Sequence, residues 1–88
     1  MIISQKEEIY TTVHGEEIVL LDMMQGMYFG LEGASAKIWE ELGQGPVAVS
    51  AILEKWKDVY DQTGDELESL LSQSVQELID KRLVVVES

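Results

Sequence analysis

The chain contains no cysteine, which excludes disulfides, thiolate metal sites and a thiol nucleophile together. Basic residues are scarce, six against seventeen acidic ones, for a formal net charge of −11. Phosphate backbones are gripped by Lys and Arg, so this balance argues against a nucleic-acid partner. No apolar run approaches the roughly 20 residues of a membrane helix. The start, MIISQKEE, lacks the basic and apolar segments of a signal peptide. These absences predict a cytoplasmic protein with no membrane partner. The carboxylates are dispersed (Glu7, Glu8, Glu16, Glu17, Glu40, Glu41, Asp65, Glu66, Glu68) and read as a solvated surface.

Catalytic signals are missing as well. His14 is the only histidine, and it sits in a predicted turn without the positioned partners that acid–base work needs. Among so many carboxylates, pairs such as Glu40-Glu41 or Asp65-Glu66 arise by chance. No spacing fits a zinc or calcium site, and no glycine array fits a phosphate loop. Gly43, Gly45 and Pro46 read as a helix stop. The expectation is a non-enzyme without metal or cofactor.

What is present predicts one α+β domain over residues 1–88. Glu8–Val13 is rich in β-branched and aromatic residues and reads as a strand. After a turn at His14-Gly15, Glu16–Asp22 follows as a second strand; its apolar run suggests burial on both faces. Asp22–Gly26 turns directly into a third strand, Met27–Leu31. Helical periodicity then places Ala34, Ile38, Trp39 and Leu42 on one face. A second helix spans Val49 to about Tyr60, with Val49, Ile52, Leu53, Trp56 and Tyr60 inward. Thr63 and Glu66 fit a capping box. The third helix carries Leu67, Leu70, Leu71, Ser74, Val75, Leu78 and Ile79, a face wide enough to touch two neighbours. Ile2 and Ile3 pack under a later element, and Leu83–Val86 is a candidate terminal strand. Three antiparallel strands followed by three helices suggest a winged helix-turn-helix-like arrangement.

The most informative stretch is Met27-Tyr28-Phe29-Gly30-Leu31. Short connections make the three strands a meander, which places this strand at an edge. It holds no charged residue, although natural edges are usually guarded. Gly30 marks either a bulge or a close backbone approach. Met23, Met24 and Met27 either fill core gaps or form an adaptable surface. These features together predict binding of an extended peptide by strand addition. The expected site is Met27, Tyr28, Phe29, Gly30 and Leu31, with Leu67, Leu70, Leu71, Ser74, Val75 and Leu78 of the third helix as the wall. On this reading Leu71→Glu or Ser74→Glu abolishes peptide binding without loss of helical signal. An uncovered edge also allows an edge-paired homodimer in the absence of peptide. A winged-helix DNA-binding regulator is the competing reading, and its binding would collapse steeply with salt.

The ordered set Leu20-Leu21-Asp22, Gly26, Tyr28, Leu31 and Ile38-Trp39 resembles the PqqD-like family, with a pattern of roughly L-L-D-x3-G-x-Y-x-x-L-N, then I-W. The similarity extends over about residues 8–86. It implies recognition of the leader peptide of a ribosomally made, post-translationally modified precursor, docked antiparallel on the third strand against the third helix. Glu32 replaces the usual Asn, implying a looser cap on the first helix. Arg82 replaces a common glycine, implying a different end to the third. The chain is most similar to the small discrete recognition protein of split lasso-peptide systems. That similarity implies as partners a leader bearing a Tyr-x-x-Pro segment with a following leucine, and a separate leader-cleaving protease. A peptide chaperone of the pyrroloquinoline quinone synthesis type is the alternative within the family.

Overall fold

A computed structural model describes residues 1–87. In chain order the elements are β1 (Ile2–Gln5), β2 (Ile9–His14), β3 (Glu17–Asp22), β4 (Met27–Leu31), α1 (Ala34–Leu42), β5 (Val47–Ala48), α2 (Val49–Val59), α3 (Gly64–Asp80) and β6 (Val84–Glu87). The predicted meander is the sheet β2-β3-β4, antiparallel throughout. A two-residue loop joins β2 to β3, and Gly15 supplies the positive φ of 64° that this tight reversal demands.

The second strand corrects one expectation. Its apolar run is not buried on both faces: Ile18, Leu20 and Asp22 are buried, whereas Val19 and Leu21 are only half-covered. A sheet with helices on one side leaves its other side to solvent, and β3 alternates accordingly.

A second sheet, β5-β1-β6, is the larger addition to the sequence reading. Four register pairs join Ile2–Gln5 to Val84–Glu87. The two-residue β5 adds Ile2↔Ala48 and Ile3↔Val47 on the other side of β1. Ile3 is fully buried beneath it, as expected for a residue packing under a later element.

The helices follow their periodicity. Ile38, Trp39 and Leu42 of α1, Ile52 and Trp56 of α2, and Leu67, Leu71, Val75 and Leu78 of α3 join Ile18, Leu20 and Leu31 in one apolar core. α1 packs against α3 and β1 and is joined to the meander by a hydrogen bond. Trp39 Nε1 donates to Thr11 Oγ1 at 3.0 Å, and the Gln5 side-chain amide donates to the Trp39 carbonyl at 3.1 Å. The N-cap of α1 is Gly33, at φ 63°, without a side-chain hydrogen bond. Thr63 caps α3 by accepting from the Glu66 amide at 3.2 Å.

α3 ends in a Schellman arrangement: Leu83 N–H donates to the Leu78 carbonyl and Arg82 N–H to the Ile79 carbonyl. Arg82 sits at φ 58°, where glycine costs least. The helix therefore closes in the form a glycine would give, with an arginine held in a left-handed conformation. Among the described residues no helix is long and apolar enough to cross a membrane.

Candidate functional site

β4 pairs with β3 through the unbroken register Ile18↔Leu31, Val19↔Gly30, Leu20↔Phe29, Leu21↔Tyr28 and Asp22↔Met27. Among the described residues it has no second partner, so one edge of its backbone is open. The continuous register shows that Gly30 marks no bulge. A Cβ at Gly30 would meet only the Glu17 carboxylate, at 3.9 Å, so nothing in this chain crowds it. Leu31 is buried and Phe29 half-buried on the inner face, whereas Tyr28 is 73% exposed on the outer one. There Tyr28 and Tyr10 flank Leu21 in register across the three strands, an exposed aromatic-aliphatic row.

Two ties hold the C-terminal half of α3 near the ends of β4. Beyond Leu31, the buried Ser35 hydroxyl donates to the Glu77 carboxylate. Before Met27, the Gln25 side-chain amide donates to the Lys81 carbonyl at 3.4 Å. Lys81 Nζ also donates to Glu77 at 2.9 Å. The Ser35 hydrogen bond, followed by that of Lys81, holds the Glu77 pKa below the usual carboxylate range. These hydrogen bonds place Glu77 and the Lys81 carbonyl, one turn apart, against the segments that precede and follow β4.

Asp22 anchors the turn that leads into β4. The carboxylate is buried, and it accepts from the Met24 and Gln25 backbone amides at 2.9 and 3.1 Å and from the Gln25 side chain. Lys6 Nζ adds an ion pair at 3.1 Å. The Gln25 hydrogen bonds, helped by Lys6 and opposed by burial, lower its pKa to about 2.

The expected wall residues divide into two kinds. Leu67, Leu71, Ser74, Val75 and Leu78 are buried, Leu71 to 2% exposure, and they line the core from the α3 side. Leu70 is half-covered and reachable. Leu71→Glu would therefore place a charge in the core, and the expectation that it leaves the fold intact does not hold. Met23, Met24 and Met27 are surface residues, which decides between the two readings of the methionine cluster. Ser35, Gln25, Glu77 and Lys81 were not anticipated. In sequence they are ordinary polar residues, and only the approach of α1 and the β3–β4 turn to α3 joins them.

A depression of about 380 Å³ lies between the β1–β2 connection, Met24 and Val85, with no residue of β4 or α3 in its lining. Among the described residues, no group of His, Cys, Asp and Glu could hold a metal ion.

No curated protein sequence matches the chain. A solved structure described as TbiB1 in complex with the TbiA(β) leader peptide is similar, with a TM-score of 0.84 over 97% of this chain and 98% of that one. The two sequences are 24% identical, and the likeness establishes the fold. A family profile described as coenzyme PQQ synthesis protein D matches residues 17–84, from β3 to the first residue of β6. With most of its length matched and the fold shared, the chain belongs to the PqqD family.

Proposed function

We propose that this protein is a non-catalytic adaptor that captures the leader peptide of a ribosomally made precursor and carries it to a processing enzyme. The leader adds antiparallel to Met27–Leu31, and its main chain satisfies the open N–H and C=O groups of β4. Its side chains alternate, one set facing the α3 strip where Leu70 and the Glu77–Lys81 pair are reachable and Ser74 lies at the floor. Met27, Tyr28, Phe29, Gly30 and Leu31 act chiefly through their backbone; Leu67, Leu71, Val75 and Leu78 act by holding the helix in place.

The observation that carries this reading is the open β4 edge, whose flanking segments are hydrogen-bonded to Glu77 and to the Lys81 carbonyl at the end of α3. It gains support from the leader peptide bound in the complex of the similar TbiB1. The processing enzyme in this reading is a leader-cleaving protease and the product a lasso peptide. The profile match to coenzyme PQQ synthesis protein D favours a second reading, in which the same capture serves a modifying enzyme.

Calorimetric titration with the leader half of a precursor encoded beside this chain tests the proposal. A 1:1 complex of micromolar or tighter affinity, weakened by proline at peptide positions whose amides pair with β4, is the expected result. Failure of every neighbouring leader to bind would sink it. Added salt gives a second discriminator: binding of DNA would collapse, whereas main-chain strand addition persists.

A further inference from the structure

Along β4, Tyr28 and Gly30 face outward, whereas Phe29 and Leu31 face the core. Tyr28 fills its position and Gly30 leaves an empty one. A glycine inside a strand weakens it, and nothing in this chain requires one there. The glycines at positive φ are Gly15, Gly26, Gly33 and Gly45, so the backbone at Gly30 would accept a side chain. The register through Gly30 is unbroken, and a Cβ there would make only an ordinary contact, with Glu17 Oε1 at 3.9 Å. The gap is therefore of use only to a group from outside the chain.

The same contact locates Glu17. It lies two positions before Val19, the register partner of Gly30, on the outward side of β3. Its carboxylate thus leans onto β4 at the one outward position without a side chain. Glu17 is exposed, and among the described residues no lysine or arginine pairs with it. His14, its register partner on β2, lies on the side away from β4.

A strand added to β4 runs about 4.8 Å away, and its residue opposite Gly30 has its Cβ about 5 Å from the empty position. A long side chain at that residue crosses the gap and meets the Glu17 carboxylate. Tyr28, 73% exposed beside the gap, offers an aromatic surface to the aliphatic stem of such a side chain.

We propose that Gly30 is a passage through which a lysine or arginine of the bound leader reaches Glu17. Glu17 and Gly30 together then select positive charge at the outward-facing leader residue opposite Gly30. This rests on the strand-addition reading above.

A synthetic leader from a neighbouring precursor supplies the test. Each residue of its paired segment is replaced in turn by Lys, Glu and Ala, and each peptide is titrated calorimetrically at low salt. At one position Lys should bind about fivefold or more tighter than Glu. That exceeds the smaller, uniform preference that a chain of formal charge −11 gives at every position. Glu17→Lys should invert the preference at that position alone. Asp61→Lys, the same charge change on the α2–α3 connection, should shift all peptides alike. Gly30→Thr, which fills the gap, should abolish the preference while the Ala peptide still binds.

Equal affinity of the Lys and Glu peptides at every position would overturn the pairing with Glu17 and leave strand addition standing. Inversion by Asp61→Lys as well would do the same, by assigning the preference to net charge. No binding by any peptide of the series would overturn both.

Discussion

β2 and β4 are the two outer strands of one sheet, and neither contains Asp, Glu, Lys or Arg. By the usual device of guarding an edge with charge, both are unguarded. The absence of charge in Met27–Leu31 therefore does not by itself select β4. The two strands differ in what lies beside them. β4 is flanked at both ends by residues tied to α3, Gln25 to the Lys81 carbonyl and Ser35 to Glu77. Among the described residues the one side-chain hydrogen bond to β2 joins Thr11 to Trp39 of α1, and the β2 side chains from Tyr10 to His14 are exposed. Main-chain pairing needs only an edge, whereas selection among peptides needs an adjoining wall of side chains. β4 has both.

The largest effect we expect separates the wall from the core behind it. Leu71→Glu should cost about 3 kcal/mol or more, because it removes a buried apolar side chain and inserts a charge with no partner. Leu70→Glu, half-covered on the same helix, should unfold at nearly the wild-type urea concentration yet lose at least tenfold in leader affinity. Equal leader affinity for Leu70→Glu and wild type would remove α3 from the recognition surface.

Hydrogen exchange then compares the edges directly. Saturating leader should slow exchange about tenfold or more at amides of Met27–Leu31 that point away from β3, and leave Ile9–His14 unchanged. Equal protection of both strands would mean that the peptide stabilises the whole sheet. Protection of β2 alone would move the site to the other edge.

Asp22 carries the pH dependence of the β4 side. Its folded-state pKa is lowered to about 2 from an ordinary 3.8. The unfolded state thus takes up the proton first, so this contribution is complete above the unfolded pKa and is lost as pH falls from about 4 toward 2. In acid titrations of stability, Asp22→Asn should flatten that part of the profile. An unchanged profile would assign the acid sensitivity to other carboxylates.

The smallest effect concerns the end of α3. Arg82 holds a left-handed conformation that costs a non-glycine residue about 1 kcal/mol, a gain that glycine partly forfeits through its freer unfolded chain. Arg82→Gly should raise the denaturation midpoint slightly, without changing leader affinity. A drop in affinity would show that the Arg82 side chain itself reaches the peptide.

Much of this organisation is legible in the chain. Period-2 and period-3.6 patterns place the meander and all three helices within a residue or two, because each buries a face set by local spacing. The ordered residues from Leu20 to Trp39 carry the family resemblance. The second sheet is harder to read. Ile2–Gln5 is a short segment with no pattern of its own, and it becomes a strand by pairing with Val84–Glu87 at the other end of the chain. The site shows the same division: its strand is visible, while the ties of its wall join residues 42 and 56 positions apart.

The sequence by itself determined the elements, the uncharged character of both outer strands and the excess of negative charge. These follow from residue type and local periodicity, which act within a few positions of each residue. Tertiary structure alone decided which outer strand has flanks tied to α3, which α3 residues remain reachable and which methionines face outward. Those properties depend on how far α3 and the β3–β4 turn approach each other. That distance is set by the packing of one core and two long-range hydrogen bonds, and no local spacing encodes it.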